Sequence, residues 1–241
     1  MMHYTNRNQF IMSAHGCMST NPDSLESIMA GNENGASGCI IALDTTEDGI
    51  AVLCTNGGFT TDDSTFHAVN ETDFFSLRRM FPKMVAVGQA VELAKSCGRK
   101  IGIEIKSPQV CIQAMIALRQ SNYLEQSYIG GLDPANAARI VNQHPELHVM
   151  AEIDAPMEET ATLVQFAQQT GLFGIRAEPK FLTPTLCEQA LLCGLFLASK
   201  STSDPEEMAK MYRQGVNFIE TDRPDIASAL LPQLAQIMNA E

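Results

Sequence analysis

Tryptophan is absent from this 241-residue chain, and aromatics make up only 6% of it. A core with so few rings must be filled by aliphatic and sulfur side chains, and the thirteen methionines read as packing residues of that kind. Charge is also sparse. Only 18% of residues are charged and the formal net charge is -12. No run of Lys or Arg exceeds two residues, so a nucleic-acid backbone finds no basic stripe to follow. No apolar stretch approaches the roughly 20 residues of a membrane span. The opening "MMHYTNRNQFIMSAHG" lacks a basic segment followed by an apolar run, so no signal peptide is expected. The seven cysteines include no C-x-x-C pair, and their odd number argues against a closed disulfide framework. They read as buried thiols of a protein kept in a reducing cytosol, which places the chain in the cytoplasm. No glycine-rich phosphate loop, linker or low-complexity tract is visible. One domain over 1–241 is the expectation; with 45% hydrophobic residues, the chain can bury one sizeable core.

What is present is a repeated alternation. Short apolar runs at 10–15, 39–44, 101–106, 127–131, 148–154, 172–177, 195–200 and 216–221 read as strands. Helix-period segments stand between most of them, at 84–97, 108–120, 134–143, 158–169, 184–193 and 205–214, with a last one from about 225. A first helix is expected to start at Asn21-Pro22-Asp23 and run to about Ala30. The extra run 50–54 pairs with 39–44 around a tight turn at Asp48-Gly49. A polar loop follows over 55–73. Strand followed by helix eight times over calls for a parallel sheet with crossover helices, and its size and count fit a (β/α)₈ TIM barrel. A doubly wound sheet is the alternative.

In such a barrel the chemistry sits at the C-terminal ends of the strands. His15 stands there, as do Glu104 and Lys106, Glu152 and Asp154, Glu178 and Lys180, Lys200, and Thr221-Asp222. Parallel strands are normally apolar on both faces, so Glu104 and Lys106, two apart on one face, need a partner or a ligand. They either bind something or simply pair with each other and close the mouth. Asp44, Glu47 and Asp48 read as a solvated turn.

These motifs resemble those of the glycerophosphodiester phosphodiesterases. "SDPEEMAKMYRQGVNFIETDRPD" (203–225) is similar to the closing pattern of that family, N-D-P-E-E-M followed by G-V-D-x-I-x-T-D-x-P. "AHG" and "NPDSLESI" within 14–28 resemble its H-R-G and P-E-N-T-L-E-A opening, and "IEIK" (103–106) its E-x-K strand. "GASGCIIALDTTEDGIAVLCTN" (35–56) aligns without a gap to its G-A-D-x-I-E-x-D-V-x-x-T-x-D-G-x-x-V-x-x-H-D segment. The resemblance implies a (β/α)₈ barrel and metal-dependent hydrolysis of glycerophosphodiesters to glycerol 3-phosphate and an alcohol. It further implies three carboxylate ligands for a divalent cation such as Mg²⁺ or Ca²⁺, two catalytic histidines, and an Arg and a Lys on the phosphate. It also implies that 55–73 is a shortened form of a small inserted subdomain.

Carried over residue by residue, the implied set is depleted. His15 is the first histidine, and Gly16 stands where the Arg would. Ile40 and Ala42 occupy the two carboxylate positions of E-x-D, and Thr55-Asn56 replace His-Asp. Glu104 and Lys106 remain. Lys200 falls where a Trp is usual. Two readings follow. The first is a pseudoenzyme, with a cation weakly bound or absent, that still binds a small phosphate ester through His15, Lys106 and Lys200. The second is an active hydrolase whose cation site is rebuilt from Glu104, Glu152 and Glu178, joined by Asp154, with His15 or Lys106 as acid or base.

Overall fold

A computed structural model describes residues 8–154 and 160–238. In chain order the elements are β1 (Phe10–Ser13), α1 (Leu25–Glu33), β2 (Gly38–Thr45), β3 (Ala51–Leu53), β4 (Gly58–Thr60), β5 (Phe66–Ala68), α2 (Phe74–Met80) and α3 (Val87–Ser96). Then come β6 (Lys100–Ile105), α4 (Pro108–Gln120), β7 (Ser127–Leu132), α5 (Pro134–Gln143), β8 (Val149–Ile153) and α6 (Thr160–Gln169). The chain continues with β9 (Gly174–Ala177), α7 (Pro184–Leu192), β10 (Phe196–Ser199), α8 (Pro205–Arg213), β11 (Phe218–Thr221) and α9 (Pro224–Met238). The first two residues of the expected 158–169 helix lie outside the described residues.

The sheet runs β1-β11-β10-β9-β8-β7-β6-β2, every pairing parallel, and β1 also pairs with β2. That last pairing closes the barrel and excludes the doubly wound alternative. The architecture is a (β/α)₈ TIM barrel. Proline at the first turn of α4, α5, α7 and α8 suits their starts, where an amide proton has no acceptor within the helix. Asp133, Thr183 and Asp204 cap three of them through side-chain oxygens.

Two local expectations need correction. Asn21-Pro22-Asp23 does not open α1. Its side chains tie a turn, with Asp23 N donating to Asn21 Oδ1 at 3.0 Å, and Ser24 caps the helix by accepting from Ser27 N. The segment 55–73 is not only loop. It contains the antiparallel β4–β5 hairpin, packed through Phe59 on Phe81 at 5.2 Å. The Asp48-Gly49 turn is as expected. Gly49 has φ +85°, β2 and β3 pair antiparallel across it, and Asp48 Oδ1 accepts from Thr46 Oγ1 and Phe74 N.

Two shells of core result from the period-two alternation. Outward residues such as Ile41, Leu43, Ile101, Ile103, Ile105, Ile129 and Ile175 meet the helices. Inward residues Met12, Ile40, Tyr128, Met150, Phe196, Ala198 and Phe218 fill the barrel, with Phe10 and Phe173 below them. Some of the few aromatics lie inside the barrel, where Tyr128 and Phe218 are 4.9 Å apart and Phe173 stacks on Phe196 at 4.4 Å. Ala227, Leu231 and Leu234 of α9 are buried core. Room for Tyr128 depends on Gly102. A Cβ there would stand 2.5 Å from Ile40 Cδ1 and 2.6 Å from Tyr128 Cζ. Gly102→Val is expected to cost roughly 1–3 kcal/mol by overpacking, read as a lower urea midpoint; an unchanged midpoint would mean the ring is not seated there.

Candidate functional site

The polar end of the barrel begins one inward layer above Tyr128 and Phe218. Register places Glu104 beside Ala42 and Gly130, Arg176 beside Glu152 and Ala198, and Glu220 beside Met12. The small residues Gly130, Ala198 and Ala42 leave the middle of this layer to the long side chains. Arg176 fills it. Its side chain is 3% exposed. Nη1 donates to Glu152 Oε2 at 2.7 Å, Nη2 lies 2.8 Å from Glu220 Oε2, and Nη2 also contacts Glu104 Oε1. Nε has no acceptor among the described residues.

A second tier sits above. His15 Nε2 lies 3.4 Å from Glu104 Oε2, and Lys200 Nζ bridges Glu152 Oε1 at 2.6 Å and Asp154 Oδ1 at 2.7 Å. Glu152 also accepts from Gly131 N at 3.1 Å. Each of the two outer glutamates thus gives one oxygen to Arg176 and the other to a cation nearer the solvent.

The titration behaviour follows from these contacts. His15 is raised above 6.5, chiefly by its hydrogen-bonding contact with Glu104, and burial opposes the shift. For Glu104, burial pushes upward but is outweighed by His15 and Arg176, which bring it from 4.5 to about 2. Glu220 is raised, because complete burial outweighs the pull of Arg176. Burial works against the charge on Arg176, yet Glu220, Glu104 and Glu152 more than compensate and hold it firmly protonated. Lys200 is raised by Asp154 and Glu152 against the opposing effect of burial.

The sequence-derived residues divide sharply. His15, Glu104, Glu152, Asp154 and Lys200 come together at the mouth. Lys106 does not pair with Glu104. Its Nζ donates to Thr55 O at 2.9 Å, and among the described residues it has no carboxylate partner. Thr55 is held in turn by Asp23, whose Oδ1 accepts from both its N and its Oγ1 at 2.8 Å. Glu178 stays on the rim, paired with Lys180 at 2.6 Å. It does not join Glu104 and Glu152, so the rebuilt three-carboxylate set is not assembled. Asp44 is half-buried and accepts from its neighbour Thr45 N, away from the cluster. Ile40 belongs to the apolar barrel layer, and Ala42 borders Glu104 without a donor atom.

Arg176 and Glu220 were missed by sequence reasoning, though the signal applied to Glu104 was there for both. "GIRA" sets an arginine, and "FIET" a glutamate, into otherwise apolar parallel strands. A divalent cation does not fit this donor set as it stands. Glu104, Glu152 and Glu220 already surround a guanidinium, and among the described residues no group of three or more His, Cys, Asp or Glu is arranged to hold a metal ion.

The geometry defines a closed parallel (β/α)₈ barrel with a hairpin insertion after its second barrel strand and a charged mouth. No family model matches the chain, and no curated protein matches it. Solved structures do. A glycerophosphodiester phosphodiesterase from Parabacteroides distasonis superposes with a TM-score of 0.79 at 17% identity, over 95% of this chain and 99% of that one. One from Thermotoga maritima gives 0.77 at 16%, over 95% and 100%. An Oleispira antarctica phosphodiesterase, solved with the product sn-glycerol-3-phosphate, gives 0.76 at 14%, over 93% and 97%. The fold of this chain is that of the glycerophosphodiester phosphodiesterases. Among the described residues no helix is long and apolar enough to cross a membrane.

The His15–Glu104 contact has a definite pH window. A raised histidine stabilises the fold fully below its unfolded value of 6.5, and that contribution is lost as pH rises through the folded value. A depressed carboxylate contributes above its unfolded value of 4.5, and the contribution is lost as pH falls toward about 2. The His15 ring signals in an NMR titration are expected to move at a pH above 6.5 and to drop in Glu104→Gln. An unshifted His15 in both proteins would show that the pair does not form.

Proposed function

We propose that this chain is a divergent member of the glycerophosphodiester phosphodiesterase family that binds a small phosphate ester and does not carry out the metal-dependent hydrolysis. The observation that carries this is the Arg176 guanidinium bonded to Glu104, Glu152 and Glu220 at the mouth of the barrel. Hydrolysis of a phosphodiester by the family route needs a cation to offset the charge on the phosphate and two groups to move protons. Here Ile40 and Ala42 bring no donor atoms, and the three converging carboxylates, Glu104, Glu152 and Glu220, are taken by Arg176. Among the described residues His15 has no second histidine opposite it; Thr55 stands at the position where the resemblance puts one, and its oxygens are engaged by Asp23 and Lys106. Losing one proton-transfer group alone typically removes ~10²–10⁴ in rate.

Support for a phosphate ester comes from Lys106 and His15. Lys106 is exposed and uses one donor on a carbonyl, which leaves its charge for an incoming anion. The hydrogen-bonding contact with Glu104 raises the His15 pKa above the ordinary 6.5, which favours its charged form. Lys200 contributes less, since Glu152 and Asp154 already balance it. The Oleispira antarctica protein of the same fold holds sn-glycerol-3-phosphate, a ligand of this class. The competing hydrolase with a rebuilt site loses its support where Glu178 pairs with Lys180.

Incubation with glycerophosphocholine and MgCl₂, CaCl₂ or MnCl₂ is expected to release no glycerol 3-phosphate above a heat-denatured control. Metal-dependent turnover that disappears in Glu104→Ala would overturn the non-hydrolytic reading. Calorimetric titration with glycerol 3-phosphate is expected to show binding that weakens about 10–100-fold in Lys106→Ala, the range for a lost charge-assisted hydrogen bond. Binding unaffected by that change would remove Lys106 from the site.

A further inference from the structure

We propose that Arg176 is a tethered cation filling a cage of three carboxylates that would take a divalent ion only once the guanidinium is removed, so that the barrel mouth carries its own covalent substitute for a metal. The inference deepens the reading of a non-hydrolytic site and rests on it. Four features support it.

The first is the ligand set. Three carboxylates from three strands, Glu104 on β6, Glu152 on β8 and Glu220 on β11, converge on one positive group. Glutamate oxygens are hard donors suited to Ca²⁺, Mg²⁺ or Mn²⁺. The second is burial. Arg176 and Glu220 side chains are each 3% exposed, and a buried charge in this setting must be matched almost completely. Without a cation the three carboxylates would repel one another, so something positive must occupy the centre for the barrel to fold with them ionised.

The third is geometry. Glu104 Oε1 and Glu220 Oε2 address the same Nη2, so these two carboxylates meet at one point already. Glu152 is spaced from them only by the width of the guanidinium, since it addresses Nη1. Replacing Arg176 by alanine opens a volume worth about three waters at ~30 Å³ each, enough for an ion and part of its hydration shell. The fourth is the fit of the arginine itself. Its Nε has no acceptor, so this cage satisfies the guanidinium incompletely. It supplies charge where charge is needed, while its Nε donor goes unused.

The cage and the tethered cation make distinct demands on an experiment. Thermal unfolding of the unmodified chain is expected to be indifferent to EDTA and to about 5 mM CaCl₂ or MnCl₂, a level above the ~10⁻⁴–10⁻³ M of weak oxygen-ligand sites. Arg176→Ala is expected to unfold at lower temperature at pH 7. CaCl₂ or MnCl₂ should then raise its midpoint, with cation affinity by calorimetry at least tenfold above that of the unmodified chain. Guanidinium at low millimolar concentration should compete with the ion. The triple variant Arg176→Ala, Glu104→Gln, Glu220→Gln removes the charge of the cage and should fold without responding to either ion.

If Arg176→Ala does not fold alone, refolding from urea is compared with and without CaCl₂; recovery only with the ion supports the cage. A cation response in Arg176→Ala no larger than in the unmodified chain overturns it. So does an equal response in the triple variant, or failure of Arg176→Ala to refold in either condition while the triple variant folds. Hydrolysis of glycerophosphocholine by the unmodified chain would remove the functional reading and leave the cation responses of the variants to be judged on their own.

Discussion

The mouth of this barrel depends on one guanidinium. Arg176 is held in the last inward layer of β9 by Glu104, Glu152 and Glu220, and the groups nearer the solvent take their places from those glutamates. Glu104 turns its other oxygen to His15, and Glu152 turns its other oxygen to Lys200. Charge therefore alternates outward from the centre: arginine, then carboxylates, then histidine and lysine. A buried cation with a full set of counter-charges costs desolvation but fixes orientation, because a displacement away from Glu220 leaves a buried carboxylate unpaired.

Below this layer the barrel is apolar and crowded, which determines how high the charges sit. Gly102 admits Tyr128, the rings of Phe173, Phe196 and Phe218 pack around it, and Ile40 closes the side. With Ile40 in that layer and Ala42 beside Glu104, the second barrel strand adds no polar atom to the cluster around Arg176. The positive charge is instead provided from the opposite wall, by β9. The resemblance of 35–56 to a ligand-bearing segment is thus one of shape. The Asp48-Gly49 turn and the strand spacing persist, and the donor atoms have gone.

Much of the fold was legible in the sequence because it is written in short-range physics. Apolar runs punctuated by helix-period segments gave the eight strands and most helix bounds, as with α4 at 108–120. The α1 start was misread because Asn21-Pro22-Asp23 looks like a helix start, while Ser24 offers the better cap. The β4–β5 hairpin was hidden in a polar stretch whose strands are only three residues long. At the site, His15, Glu104, Glu152, Asp154 and Lys200 were identified by position at strand ends. Their partners were not, because pairing across a barrel depends on register between strands far apart in the chain. A pair between Glu104 and its sequence neighbour Lys106 was one of two alternatives open from the sequence; it does not form, and the counter-charge of Glu104 lies on β9. Arg176 and Glu220 escaped notice inside runs that look like ordinary buried strand.

A crystal grown in MnCl₂ and measured at the manganese absorption edge bears most directly on the central claim. The expected result is a guanidinium between Glu104, Glu152 and Glu220 with no anomalous peak among them. A manganese peak bound by those glutamates, with Arg176 swung away, would contradict it.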